Sequence, residues 1–392
     1  MKIIFVNILV LLFSITVIEL FLGKWIDDPD FQEWSCMSKL FHHDYCPEVV
    51  WHRTMTSPDP DRTIEVAINR SRLRVASPDM TQGITMVEDF DIINIGDSFM
   101  QADEIPFDKT LSAVLQKRSG KKVLQVGYGS WAPIQYFNWL KTNQLKRGVI
   151  INVFTFMNDF NPEDDWSNLR YHQRLSHDGL FRKYLLDEDN IFSFLNEINV
   201  ELRRKSYFVG KLRQLMVLNK SETLFETPVL EEDFSVPQND CRLLKKYSNI
   251  HPRGKDYITF SFDSSCWGEQ YFQTVNSAVT DLRKILDLAQ KVNGKVNIYL
   301  IPASWAFKSE SVISKIYPKG GVPHEMSFTT IPLAKYMQEK LEYPVVPLET
   351  VIAELKKQHL GDWYFVGDGH WNEFAHKHLG DWLGKNLSNA ER

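Results

Sequence analysis

The chain has 392 residues, enough for one elaborated domain or for two, and at 43% hydrophobic and 24% charged it has the composition of an ordinary globular protein. A formal net charge of -5 argues against nucleic acid as the main partner. No internal repeat and no low-complexity tract is visible.

The first element is a membrane signal. Ile3 to Leu22 is apolar except for Asn7, Ser14, Thr16 and Glu19. A helix of that length spans ~30 Å, about one hydrocarbon core. Lys2 and Lys24 flank it evenly, so charge asymmetry sets no orientation. A cleaved signal peptide needs small residues at its cleavage site, yet the first alanine is Ala67 and only Gly23 is small near the end of the run. Residues 1–23 therefore read as an uncleaved single-pass anchor. The cysteines fall into two local pairs, Cys36 with Cys46 and Cys241 with Cys266. Even number and pairing suggest two disulfides in an oxidising compartment. A metal site is the rival for the first pair, because His42 and His43 lie between its cysteines, although zinc spacing is usually tighter. Anchor and disulfides together place the bulk of the chain on the extracytoplasmic, periplasmic side of the membrane.

Residues 24–90 read as a juxtamembrane region, broken at Pro58-Asp59-Pro60-Asp61. Ile92 to Ile95 is then a buried, β-branched strand that ends in Gly96-Asp97-Ser98, where Gly96 permits a sharp turn. Leu111 to Gln116 reads as a helix. Lys122 to Val126 is a strand that ends in Gly127-Tyr128-Gly129-Ser130-Trp131, and Ile134 to Leu145 is a helix behind Pro133. Val149 to Phe156 is a third strand, ending at Met157-Asn158-Asp159. This order implies a parallel sheet with right-handed crossovers. Residues 161–270 lack clean periodicity, apart from a helix-like stretch at Asn190 to Leu218, and read as an insertion over the active face. The rhythm returns with a helix at Tyr271 to Val292, a strand at Lys295 to Ile301, a helix at Ile331 to Leu341 and a short strand at Tyr343 to Pro347. Val351 to Leu355 reads as helical. Tyr364 to Asn372 carries Asp368-Gly369-His370-Trp371-Asn372, and a final helix runs to Leu387. The expected fold is α/β, three-layer α/β/α, with a central parallel sheet of about five strands.

Three strand ends carry Ser98, the Gly129-Ser130 turn and Asn158, and the C-terminal segment carries Asp368 and His370. Acyl transfer needs a nucleophile, a base, an orienting acid and donors for an oxyanion, and all of these are present. Each residue also has an ordinary reading. Asp97-Ser98 and Asn158-Asp159 could be turns, and His370 could be a structural histidine beside Trp371. Placement at successive strand ends weakens those readings together.

In these residues the sequence resembles the SGNH/GDSL hydrolase superfamily: Gly96-Asp97-Ser98 for its first block, Gly129 or Ser130 for its second, Phe156-Met157-Asn158-Asp159 for its third, Asp368 and His370 for its last. The Asp-Gly-His-Trp-Asn wording resembles a bacterial membrane-anchored branch similar to the alginate O-acetyltransferase proteins. The resemblance implies an SGNH-hydrolase or flavodoxin-like fold over residues 91–392. It implies Ser98 as nucleophile, His370 as base and Asp368 as orienting acid. The oxyanion hole would be built from the N–H groups of Ser98 and of Gly129 or Ser130 with the Asn158 amide. Phe156 departs from the usual glycine, and Asp-x-His is shorter than the usual Asp-x-x-His. The expected activity is that of a serine esterase removing acyl, in particular acetyl, groups from an extracytoplasmic carbohydrate, with no cofactor and no metal. The alternatives are a polysaccharide O-acetyltransferase, which implies a membrane partner that delivers the acyl donor, and a silent polysaccharide-binding protein. Asp159 reads as a brace for its loop. His376 and His378 read as facing the final helix, with a metal site shared with His370 left open. Trp131, Trp305 and Trp371 either stack on sugar rings or pack in the core.

Overall fold

The computed structural model describes residues 35–38, 42–54, 62–160, 241–242, 259–307, 329–365 and 369–390. The anchor expected over Ile3 to Leu22, most of the 161–270 insertion and Asp368 lie outside the described residues. Among the described residues, no helix is long and apolar enough to cross a membrane.

The chain divides into two compact units; of the described residues, 35–38, 42–53 and 65–83 fall in the first and the rest in the second. The first is built on short strands within the region expected to be only juxtamembrane. Strands β1 (Ser35–Ser38) and β2 (His42–Tyr45) pair antiparallel, and the Cys36–Cys46 disulfide ties them. Both sulfurs are thereby consumed, which removes the metal reading of this pair. Strands β3 (Val49–Thr54), β4 (Thr63–Ile68) and β5 (Arg74–Val75) form a three-stranded sheet in that order. Asp44 is buried here, and burial pushes its carboxyl up to about 7, against the pull of the Arg72 guanidinium and the Tyr45 N–H. The second disulfide, Cys241–Cys266, lies in the other unit. Two disulfides are the mark of an oxidising, extracytoplasmic compartment.

The second unit holds the parallel sheet. Its strands are β6 (Ile92–Gly96), β7 (Val123–Gly127), β8 (Ile150–Phe156), β9 (Lys295–Ile301) and β10 (Val345–Pro347), in the spatial order β10-β9-β8-β6-β7. All four pairings are parallel. Every residue of β6 is buried, as a central strand covered on both faces requires. Burying each of its isoleucines stabilises the fold by ~1.5–3 kcal/mol.

A polar ladder crosses this apolar sheet. Asn94, Asn152 and Asn297 are in register on β6, β8 and β9. The Asn152 amide donates to Asn94 and the Asn297 amide donates to Asn152, each at 2.8 Å, while Asn94 donates to Ser112 Oγ at 2.9 Å. A slip by one residue between neighbouring strands would break the amide bond that joins them, so the ladder pins the strand register.

The sheet is flanked by α1 (Ser98–Gln101), α2 (Leu111–Ser119), α3 (Pro133–Thr142), α4 (Glu269–Lys291), α5 (Ile331–Leu341), α6 (Leu348–Gln358) and α7 (Glu373–Ala390). The Thr110 hydroxyl caps the start of α2, and Gly120, with φ +69°, ends it. Helix α3 stops short of the expected Leu145, because the Asn143 side chain turns back to the Trp139 carbonyl at 2.7 Å. Helix α7 lies against α2, and α4 packs on α3 and α5. Gly380 and Gly384 allow the first approach: a Cβ on Gly380 would sit 2.8 Å from Val114, and one on Gly384 would sit 2.7 Å from Arg118.

The chain leaves β6 toward β7 on one side and continues to β8, β9 and β10 on the other. The crevice at the carboxyl ends of β6 and β8 is therefore the topological switch point, where open α/β sheets bind ligands.

Candidate active site

Ser98 stands at the carboxyl end of β6, as the first residue of α1. Asp97 is the N-cap, and its Oδ1 accepts the Phe99 N–H at 3.0 Å. The role expected of Gly96 was conformational freedom, but what its place requires is space. A Cβ there would lie 2.7 Å from the Phe154 carbonyl. Gly127, its partner in register, is tighter still, for a Cβ would lie 2.4 Å from the Met100 carbonyl carbon. The backbone of α1 rests directly on the sheet edge, and this holds the serine in place.

His370 comes to Ser98 from 272 residues away, with Nε2 2.8 Å from Oγ. The segment that carries it is a tight reversal. Tyr364 and Trp371 form an antiparallel bridge, the Phe365 N–H donates to the His370 carbonyl at 2.9 Å, and Gly369 takes φ +89°, which only glycine adopts freely. Trp371 is buried beneath the turn, and the Asn372 side chain accepts the Ala375 N–H at 3.1 Å, capping α7. From Gly369 to Asn372 the motif thus reads residue by residue as reversal, contact with the serine, anchor and cap. Phe99 meets the His370 ring edge-on at 5.0 Å between centroids, and Phe156 packs against Phe99 at 4.8 Å. The departure at Phe156 is absorbed here as support for the aromatic wall behind the histidine.

For Ser98 to donate to Nε2, His370 must be neutral with its proton on Nδ1. The Ser98 hydroxyl also lies 3.5 Å from Asp97 Oδ2, at the outer limit of a hydrogen bond, so the histidine is the better acceptor. Asp97 is fully buried, and burial pushes its carboxyl up to about 6, against the Phe99 N–H and the charge of His370. On the far side of the ring, Nδ1 lies 3.7 Å from Glu104 Oε1. The sequence reading missed Glu104, because a single acid in a turn carries no periodic or spacing signal.

The second and third strand ends are placed as expected, with one difference. The Gly129 N–H already donates to Gln101 Oε1 at 2.7 Å, so in this arrangement it is occupied. A Cβ on Gly129 would lie 2.8 Å from that oxygen and 3.9 Å from Ser98 Cβ, so the turn does border the serine. Ser130 adopts φ +66°, a left-handed conformation that is strained for a residue other than glycine and that recurs at functional turns. Of the two turn N–H groups expected as oxyanion donors, that of Gly129 is the one already engaged, by Gln101. Asn158 follows β8 in a single helical turn, Met157–Phe160. Its Oδ1 is buried and, among the described residues, has no hydrogen-bond partner. Asp159 braces this turn, accepting the Phe156 N–H at 3.2 Å and the Tyr136 hydroxyl at 3.0 Å.

Trp131 and Trp371 are 2% and 1% exposed, so they are core residues and offer no face to a sugar. His376 Nδ1 accepts the Leu111 N–H at 3.0 Å, and His378 stacks on His359 at 3.9 Å. Among the described residues, no cluster of His, Cys, Asp or Glu could hold a metal ion.

No family model and no curated protein sequence matches the chain. One solved structure, described provisionally as a platelet activating factor from Streptococcus pneumonia, aligns over 78% of this chain and 86% of its own at 11% identity and a TM-score of 0.32. A second has the same identity, TM-score and share of this chain and is covered over 99% of its own length. Likeness at that level carries no argument about function.

Proposed function

We propose that the protein is a serine esterase of the SGNH/GDSL type, which removes acyl groups, in the simplest case acetyl, from an extracytoplasmic carbohydrate. The observation that carries this reading is the 2.8 Å contact between Ser98 Oγ and His370 Nε2 at the switch point of a parallel sheet. Carbohydrate as the substrate class rests on the sequence resemblance, and a membrane anchor over Ile3 to Leu22 rests on the length and apolarity of that run.

In the first step Ser98 Oγ bonds to the ester carbonyl carbon as its proton passes to His370 Nε2. The carbonyl π electrons move to oxygen, where the N–H groups of Ser98 and Ser130 and the Asn158 side chain receive the charge. Removing one such donor typically costs ~2.7–4 kcal/mol of transition-state stabilisation. The tetrahedral centre collapses, and the sugar alkoxide leaves with the proton from Nε2. Water, deprotonated by the same nitrogen, then cleaves the acyl-enzyme and restores Ser98. Asp368, by its place in the motif, orients the imidazole.

The test is hydrolysis of p-nitrophenyl acetate by the full chain, by Ser98→Ala, by His370→Ala and by the double variant. Equal losses in all three variants are expected of groups that act as a unit. Wild-type activity in Ser98→Ala would refute the esterase reading. A burst with little turnover would instead indicate transfer to an acceptor sugar.

A further inference from the structure

We infer that Glu104 is a positioning carboxylate for His370, acting on the Nδ1 side of the ring, in addition to the acid that the sequence assigns at Asp368. The inference rests on the esterase reading for its effect on rate, but the contact itself does not.

Glu104 is held by the same short turn that presents the nucleophile. Helix α1 ends at Ala102 in the left-handed conformation, with the Ala102 N–H donating to the Ser98 carbonyl. The Ile105 N–H then donates to the Ala102 carbonyl, and the Ile105 side chain is fully buried. Ser98 and Glu104 are thus two ends of one rigid reversal, with His370 between them. The Glu104 side chain is only 4% exposed, against 26% for His370. Water therefore screens this pair poorly, and a carboxylate at 3.7 Å from Nδ1 interacts strongly with any charge on the ring.

The distance also says what Glu104 does. At 3.7 Å it is longer than a hydrogen bond and within ion-pair range. In the resting state the ring is neutral and the attraction is slight. When Nε2 takes the Ser98 proton the ring becomes a cation, and its Nδ1 side faces the buried Glu104 carboxyl, whose ionised form that charge favours. The stabilisation appears with the charge, which is what lowers a barrier. Apo contacts of this kind commonly tighten when substrate is bound. A second described carboxylate acting on the ring is Asp97, which is tied to the Phe99 N–H and approaches from the Ser98 side. Of these two described groups, Glu104 is the one placed against Nδ1.

The experiment is Glu104→Gln in the full chain, which keeps the volume and removes the charge. The first readout is the titration of the His370 ring by NMR of histidine-labelled protein, assigned with His370→Gln. It is expected to move down by about one unit. The second is the pH profile of kcat/KM on p-nitrophenyl acetate. The base must be neutral to act, so the acid limb moves to lower pH by the same amount, and kcat falls by roughly ten- to a hundredfold. A merely structural role would move neither the titration nor the limb. Should Glu104→Gln fail to fold, Glu104→Asp draws the charge back by one methylene and moves both readouts the same way by less. An unchanged titration and acid limb in folded variant, with Ser98 still labelled by an organophosphonate, would overturn the role of Glu104 alone. Absence of labelling on wild-type Ser98, with the titration shift present, would overturn the esterase reading and leave the contact standing.

Discussion

The asparagines on β6, β8 and β9 and the asparagine just past β8 are the same residue in two different conditions. Asn94, Asn152 and Asn297 sit inside the sheet and pass hydrogen bonds along a ladder at 2.8 Å. Asn158 sits at the carboxyl end of β8 and keeps a buried Oδ1 with no partner among the described residues. A buried acceptor left unpaired costs about 1–3 kcal/mol, and an oxyanion cannot satisfy it; what this amide can offer a bound acyl group is its Nδ2–H. The ladder contributes stability and no chemistry. The edge residue bears a cost in stability, and under the proposed function its amide Nδ2–H serves the oxyanion.

Substitutions separate the two conditions. The largest effect is expected at the edge, where Asn158→Ala loses ~2.7–4 kcal/mol of transition-state stabilisation, read as kcat on p-nitrophenyl acetate, with the unfolding midpoint unchanged or slightly raised. The ladder should answer in the opposite way. Asn152→Leu strands the groups that paired with it on Asn94 and Asn297, so urea unfolding should show a loss of about 2–4 kcal/mol, while kcat per folded molecule holds. Comparable kcat losses in both variants would erase the distinction. Between them lies Gly127→Ala. The new methyl would press on Met100 at 2.4 Å and shift the turn that carries Ser98, costing about 1–3 kcal/mol of stability and some activity together.

The smallest effect concerns pH. Burial pushes Asp97 up to about 6 from 3.8, so the folded protein holds this proton more tightly than the unfolded chain does. The resulting stabilisation is complete below 3.8 and is lost as the pH rises through about 6. Asp97→Asn should remove that dependence, so that urea midpoints measured from about pH 4 to about pH 7 fall less in the variant than in the wild type.

Much of this was legible in the sequence, for identifiable reasons. Ile92 to Ile95, Val149 to Phe156 and Lys295 to Ile301 are apolar runs bounded by turns, and the sheet uses all three. Ser98 and Asn158 were visible because they end such runs. What escaped depends on contacts across the chain. The asparagine ladder exists only once three strands are in register, and asparagine alone argues against a strand. The Gln101 contact that occupies the Gly129 N–H joins residues from two separate turns. Glu104 faces His370 only after a chain closure spanning most of the protein. The strands before Gly83 are too short and too mixed to register as periodicity, although β4 does alternate at its start. The tryptophans were ambiguous because the sequence at a turn does not say whether the ring points out or in.

The most direct test of the account is to treat the full chain with an organophosphonate and locate the adduct by mass spectrometry. The account predicts modification of Ser98, absent in Ser98→Ala and much slower in His370→Ala. An adduct elsewhere, or none on folded protein, would contradict it.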